Sequence, residues 1–436
     1  MSLEWNDVVL KDVLSEKGYI RGPFGSALKR AEMKSEGIPV YEQQNAIYDN
    51  RIFRYYINEE KYQSLKRFTT YTDDLIISCS GTVGKVSIIK HDDPKGIISQ
   101  ALLTLRVNKD LILPEFLKYF FSSYEGYNSL VSRATGSVQV NISKRAVIEE
   151  IPLKLPPLDV QRKIVHYLSL IDKKIETNEK INKNLEQLIK YIYINWFEEF
   201  EPFKDEDFYD TKLGSIPVGW DVKPLQEFIK FQEGPGIRNW QYVEEDGINF
   251  LNIRCIQNND LVLDTANMIS KEEANGKYAH FMLNEWDLVI SSSGTLGRYA
   301  IVREEHLPLC LNTSIIRFTP MHSFDHYAYV YSYLTSRGFY HYLLTMGSGS
   351  VQLNFGPTHL KQIDLIVPPE NILKKYNDLI FPLIEQMVTI KSEISKLTKL
   401  RDTLLPKLMS GEIDVSKINC DLIIVTFYFY FEILFN

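Results

Sequence analysis

The sequence predicts an α+β chain built as two tandem, pseudo-symmetric globular α/β domains, each followed by a long helix, with the two helices paired as an antiparallel coiled coil. Two observations predict it. The first is a repeat: Asp74 to Ile89 reads DLIISCSGTVGKVSII, and Asp287 to Val302, 213 positions on, reads DLVISSSGTLGRYAIV. Gly136–Asn141 (GSVQVN) and Gly349–Asn354 (GSVQLN) keep the same offset. A period this long exceeds any solenoid unit, so each copy is a whole domain with its connector. The second observation is that each copy closes on a Pro-Pro pair, Pro156-Pro157 or Pro368-Pro369, followed by apolar residues at heptad spacing.

Taken in order, each copy opens on a Trp: Trp5–Leu14 (WNDVVLKDVL) and Trp220–Ile229 (WDVKPLQEFI). Short β-type runs with Gly turns follow. Leu75–Ser78 reads as a strand, Ser-Gly-Thr-x-Gly as a tight turn, and Val86–Ile89 as the return strand. The first long helix is expected over Asp159–Phe197, with Leu168, Ile175 and Ile189 on one seam position and Ile164, Ile171, Leu185 and Ile192 on the other. Asn178 and Asn182 share that seam, where a buried amide lowers stability but fixes register. The second is expected over Ile372–Met409, carried by Ile380, Met387, Ile394 and Leu408, and by Leu383, Ile390, Leu397 and Leu404. The opposite faces are rich in Lys and Glu, so the apolar stripe is narrower than a helix buried in a globule shows. Each helix would be about 55 Å long, and antiparallel pairing would turn the two domains in opposed directions. Glu198–Gly219 is acidic and punctuated by Pro and Gly, as a linker is.

Composition bounds the function. The chain has 436 residues, enough for roughly two to four domains, with ordinary apolar (44%) and charged (24%) fractions. The start, MSLEWNDVVLKDVL, has no basic segment followed by an apolar run, so no secretory signal is expected. Cys79, Cys255, Cys310 and Cys420 are too scattered for a disulfide framework or a zinc site, and read as reduced packing residues of a cytosolic protein. The net charge of −7 argues mildly against nucleic acid, although local fields outweigh the sum. The first copy is near neutral, with basic pairs at Lys29-Arg30, Lys66-Arg67 and Lys144-Arg145; the second is acidic. Any DNA binding is therefore expected to be weak alone and tight with partner subunits. The apolar tail Asp421–Asn436 is short for a membrane span.

Candidate contact residues fall in three places. Ser80, Thr82 and Lys85 in the first turn, and Ser293, Thr295 and Arg298 in the second, put hydroxyls, backbone N–H groups and a cation at a hairpin tip suited to phosphate. The spacing is not that of a Walker loop: two residues separate Gly81 from Gly84-Lys85, and Val86 follows the lysine. Ser137, Gln139 and Asn141, like Ser350, Gln352 and Asn354, alternate onto one side of an extended chain. Such amides either pair with adenine or brace a turn. Lys29 and Arg30 near Phe24, and Arg238 near Trp240 and Tyr242, interleave charge with aromatic surface. The sequence carries no base-methylation loop, S-adenosylmethionine fingerprint, nuclease cluster, H-E-x-x-H or G-x-S-x-G. His166 and His341 stand among apolar residues without an evident partner. No catalytic residue, metal ligand or cofactor site is expected.

Several segments resemble the specificity subunit of Type I restriction–modification enzymes, the HsdS family. Leu213–Trp220 (LGSIPVGW) is similar to that family's domain opening, Asp74–Lys85 and Asp287–Arg298 to its D-[IL]-[LV]-[IV]-S-x-x-G-[ST]-x-G stretch, Pro156–Gln161 (PPLDVQ) to its helix start, and Leu400–Val415 to the end of its distal helix. Pro369-Glu370 is a weaker version of the helix start, and the tail matches nothing in the family. The resemblance implies target-recognition domains over 1–155 and, with the linker, 201–367; conserved spacer helices over 156–200 and 368–417; and an atypical tail over 418–436. It implies a non-catalytic, cytoplasmic subunit that reads a bipartite double-stranded DNA target. Its partners would be two modification subunits that carry S-adenosylmethionine and methylate adenine, and a restriction subunit where one exists. Half-sites about one helical turn, or about 34 Å, apart are within reach of such helices. The rival expectation is a two-headed coiled-coil scaffold joining proteins without DNA.

Overall fold

Leu75–Ser78 and Val86–Ile88 form the antiparallel hairpin that the repeat predicts, and Leu288–Ser291 with Tyr299–Ile301 form its twin. The computed structural model describes residues 5–133, 140–346 and 354–415. The chain divides into two compact units, one of residues 1–175 with 397–436, the other of residues 176–396.

In the first unit the hairpin belongs to a four-stranded antiparallel sheet, ordered Leu14–Arg21, Leu102–Val107, Leu75–Ser78, Val86–Ile88. Leu75 pairs with Leu105 and Ile77 with Leu103. All four residues of Leu75–Ser78 are buried, as an apolar run covered on both faces requires. A smaller sheet joins Tyr56–Ile57, Ile38–Tyr41 and Ile97–Ile98, the last pair parallel. Pro114–Ser122 and Tyr124–Leu130 are helices, and Phe116, Leu117, Phe120 and Leu130 enter the same core as Leu75 and Leu103. Asn6–Val9 and Pro152–Leu155 pair antiparallel just before the long helix.

The second unit repeats this plan. Its main sheet runs Ile229–Glu233, Ile315–Pro320, Leu288–Ser291, Tyr299–Ile301, with Leu288 opposite Phe318. Its smaller sheet has four strands, Tyr242–Val243, Asn267–Ser270, Gly247–Phe250 and Leu309–Cys310, and Asp221–Pro224 pairs with Asp364–Val367. The duplication reaches backbone detail. Asp73 and Trp286, each just before the repeated Asp, both adopt left-handed φ, +71° and +69°.

The long helices span Leu158–Tyr193 and Glu370–Met409, the first continuing into a wider π turn over Ile194–Glu198. Gln161 explains the P-P-L-x-x-Q start. It is fully buried, donates from Nε2 to Pro156 O (2.9 Å) and Leu111 O (3.0 Å), and accepts from Leu113 N at 2.9 Å. The second helix has Leu373 in that place and is held by other means: His326 Nε2 bonds the Glu370 carboxylate at its first residue (2.9 Å), and Asn377 Oδ1, two turns in, accepts from Ala328 N (3.1 Å).

Each unit holds segments of both helices. In the first, Val160, Ile164 and Leu168 share a core with Leu404, Leu405 and Leu408, and Arg401 pairs with Asp172 at 3.2 Å. In the second, Ile189 and Tyr193 share a core with Tyr376, Ile380, Ile384 and Met387. There Asn178 Nδ2 donates to Glu393 Oε2 (2.9 Å) and Lys391 lies 3.8 Å from Glu186, so the two segments run antiparallel. Asn178 and Asn182 are buried, as the seam expects. The helix ends also complete the globular cores, a use that the narrow stripe did not foretell.

Cys79, Cys255 and Cys310 are buried free thiols, and burial pushes Cys79 and Cys310 up to about 11. Cys420 and the apolar tail lie outside the described residues. Among those residues no helix is long and apolar enough to cross a membrane.

Candidate nucleic-acid interface

The two hairpin tips are built alike, and their glycines say why the motif needs them. Gly81 and Gly84 adopt φ of +63° and +81°, Gly294 and Gly297 of +66° and +74°. L-residues with side chains rarely adopt this left-handed region. A Cβ on Gly84 would also lie 2.8 Å from the Tyr127 ring, and one on Gly297 2.6 Å from the Tyr340 ring. Gly84→Ala is therefore expected to cost about 2 kcal/mol through backbone strain and overpacking together. A thermal melt of the variant unchanged from the parent would refute this account.

The serine ahead of each tip closes the turn. Ser78 Oγ donates to Thr82 O (2.6 Å) and accepts from Lys85 N (3.0 Å); Ser291 Oγ does the same with Thr295 O and Arg298 N. Ser80, Thr82, Lys85, Thr295 and Arg298 are exposed, and Ser293 is half-buried. Ser80 Oγ donates to Gln43 Oε1 (3.0 Å), and Arg298 Nη1 to Ile256 O (3.3 Å). Lys85 makes no ion pair among the described residues.

Below each tip a buried carboxylate anchors the hairpin. Asp74 accepts from Tyr71 N (2.9 Å) and pairs with Arg106 through two 2.7 Å bonds; Asp287 accepts from Asn284 N (2.8 Å) and pairs with Arg317 at 3.4 Å. Burial pushes both carboxyls up, and the guanidinium opposes it. By sheet register Arg106 corresponds to Thr319, and Arg317 to Thr104. The two arginines reach the same carboxylate from positions two residues apart on one strand face.

The first unit also carries a broad groove of about 1150 Å³. Its walls include Lys17, Arg21, Lys66, Arg67, Arg106, Lys144 and Arg145, with Tyr19, Phe24, Phe68 and Tyr71, and a single acid, Glu16. Arg106 lies over Tyr71 (4.5 Å), Arg67 over Phe68 (4.6 Å), Arg145 over Tyr19 (5.0 Å) and Arg21 over Phe24 (5.6 Å). Guanidinium planes interleaved with rings suit phosphate and base surface together.

The sequence profile of the Type I restriction modification DNA specificity domain matches residues 3–187 and 217–399. The chain belongs to that family. It is similar to the Type I restriction enzyme MjaIX specificity subunit of Methanocaldococcus jannaschii, 30% identical over 332 residues, 72% of each protein. It is also similar to the EcoBI specificity subunit of Escherichia coli, 21% identical over 411 residues, covering 89% of this chain and 83% of that protein. Among solved structures, the Type I restriction–modification S subunit of M. genitalium shares the fold, with a TM-score of 0.55 at 17% identity, over 94% of this chain and 96% of that one.

In this specificity-domain chain the structure assembles part of the expected set. Ser80, Thr82 and Lys85 share one tip, and Ser293, Thr295 and Arg298 the other. Phe355 N donates to Ser292 O (3.0 Å), which sets exposed Asn354 beside the second tip. Asn141 pairs in backbone register with Ser132. Ser137, Gln139, Ser350 and Gln352 lie outside the described residues. Lys29 and Arg30 sit apart from the tip: Lys29 N is capped by Glu32 (2.9 Å), and Arg30 bonds Tyr55 OH (2.9 Å). Arg238 and Trp240 are exposed on a short 3-10 turn, Trp240 to 80%. The groove cations are not among the contact residues that the sequence suggests. Their signal was there in the basic pairs Lys66-Arg67 and Lys144-Arg145, but only the fold shows that these line one groove.

Proposed function

We propose that this chain is the non-catalytic DNA-recognition subunit of a Type I restriction–modification complex, in which each unit reads one half of a split duplex target. The long helices serve as a coiled-coil spacer and as the dock for two modification subunits. Those subunits would bring S-adenosylmethionine and methylate adenine, and a restriction subunit would join where one exists. The observation that carries the reading is the exposed hairpin tip, repeated in both units with hydroxyls and one cation each, on scaffolds of matching sheet order. Family membership supports it. Sequence is then read at two places, and spacing becomes part of the specificity.

Methylome sequencing of cells with and without the chain tests the reading. A two-part adenine-methylation motif present only with the chain is expected; identical methylomes would sink it. In the same assay Asn354→Ala should change or weaken the motif in one half only, since a lost amide–adenine pair is worth about 1–3 kcal/mol at one base. Equal loss in both halves would contradict separate reading.

A further inference from the structure

Matched by register, the two units carry unequal charge. Tyr19 lies opposite Leu105 and Arg21 opposite Leu103; the matching pairs in the second unit are Phe231 with Phe318 and Glu233 with Ile316. Arg21 thus corresponds to Glu233. The 3-10 turn Lys66–Phe68 corresponds to Ala279–Phe281, since Thr69 N and Met282 N close the two turns onto Lys66 O and Ala279 O. Lys66-Arg67 therefore becomes Ala279-His280. The short helix Arg145–Glu149 begins after Lys144, and Pro357–Leu360 after Gly356, so Lys144-Arg145 becomes Gly356-Pro357. Arg106 becomes Thr319, but Arg317 supplies the matching guanidinium from two residues along, so this position is not part of the imbalance. Lys17 stands in a bulge between Leu14 and Tyr19 that the second unit lacks. Lys277, at the place of the groove residue Ser64, and Lys230 on the first strand return two cations, against Glu233.

We propose that the first unit's groove is the polyanion clamp of the protein, taking the phosphodiester backbone of duplex DNA, and that the corresponding surface of the second unit contributes little charge. The second unit must then discriminate through shape and hydrogen bonds, while the first supplies most of the sequence-independent hold. Lys66, Arg67, Lys144 and Arg145 are all exposed. Lys66 and Arg67 make no ion pair among the described residues, and Arg67 lies 4.6 Å over the Phe68 ring. Arg106 is tied to Asp74, and Arg145 to Glu149 at 2.8 Å, so they add less. Counterion release makes the share measurable: each phosphate neutralised adds about 0.9 to the slope of log K against log salt.

The inference rests on the DNA-reading role proposed above, and the test separates the two. Fluorescence anisotropy of a random-sequence 40-base-pair duplex is measured across a potassium chloride series, with the full chain alone and with its modification subunit. Lys66→Ala/Arg67→Ala should flatten the slope by about 1.8 and weaken binding roughly tenfold or more at low salt. Lys144→Ala/Arg145→Ala, far away in sequence, should act in the same direction but flatten the slope by less, at least about 0.9, because Arg145 is shared with Glu149. The matched second-unit variant Lys277→Ala/His280→Ala should flatten it by no more than about 0.9. All the altered side chains are exposed, and unchanged thermal melts would confirm that the folds survive. Parent protein that binds no duplex under any condition overturns both the role and the clamp. Parent protein that binds while the first-unit variants keep its slope, or while the second-unit variant loses as much, overturns the clamp alone.

Discussion

Replacing Trp220 by alanine is expected to cost the second unit about 3–5 kcal/mol, the range for removing a large aromatic from a packed core. Trp220 is 2% exposed and meets Phe203 (5.0 Å), Phe200 (5.5 Å) and Phe197 (5.8 Å) in tilted and edge-on geometries. Phe197 in turn meets Tyr376 of the second helix at 4.7 Å. This aromatic nest closes the end of the first helix, the linker after it and the opening of the second domain into one core. An alanine leaves a cavity that three rings anchored on different elements cannot easily fill. Urea unfolding followed by far-UV circular dichroism should show a transition moved to clearly lower denaturant. A shift worth less than about 1 kcal/mol would mean that the nest collapses around the gap.

Lys391→Ala should produce a loss of similar size by a different route. The Lys391 side chain is 11% exposed and that of Glu186 17%. Lys391 Nζ donates to Asn259 O, and Asn259 Nδ2 donates to Glu186 at 3.2 Å. Burial holds the ammonium below its ordinary pKa range, against the pull of Asp260 and Glu186. Arg303, 4% exposed, pairs nearby with Asp260 and with Glu305. These ions fasten the hairpin Ile256–Leu261 to both long helices inside the second unit. Removing the lysine strands a carboxylate in a dry place, at about 3–5 kcal/mol. The Lys391→Met/Glu186→Gln double variant should recover most of the loss, because an uncharged pair of similar volume is often tolerated. If the double variant is as unstable as the single, stranded charge is the wrong explanation.

Much of this architecture was legible in the residues. The 213-residue offset located both hairpins, the Pro-Pro pairs located both helix starts, and the heptads placed Asn178 and Asn182 in the buried seam. What the sequence hid was convergence. Lys17, Arg21, Lys66, Arg67, Arg106, Lys144 and Arg145 come from a bulge, two strands, a turn and a helix start, and no window along the chain contains them. The weaker start of the second helix is a related case. Leu373 cannot do what Gln161 does, but His326 holds Glu370 at the helix start from 44 residues away, and Ala328, 49 residues before Asn377, donates to that residue two turns in. Local patterns report periodicity well and report such remote substitutions badly, because a hydrogen bond constrains two positions whose separation the sequence does not mark.

The first unit cannot finish its core from its own early residues. Leu404, Leu405, Leu408, Met409 and Val415 pack with Val160, Ile164 and Leu168, and Gly411 approaches Trp5 so closely that a Cβ there would lie 3.0 Å from the indole. During synthesis the ribosome must add residues 176–396 before those side chains emerge, roughly 10–45 s at ~5–20 residues per second. For that interval the earliest strands and helix wait with an open greasy seam, and a chaperone that shields it should raise the yield of native chain. Translation stalled before residue 397 should leave this half protease-sensitive, while release past residue 415 should protect it.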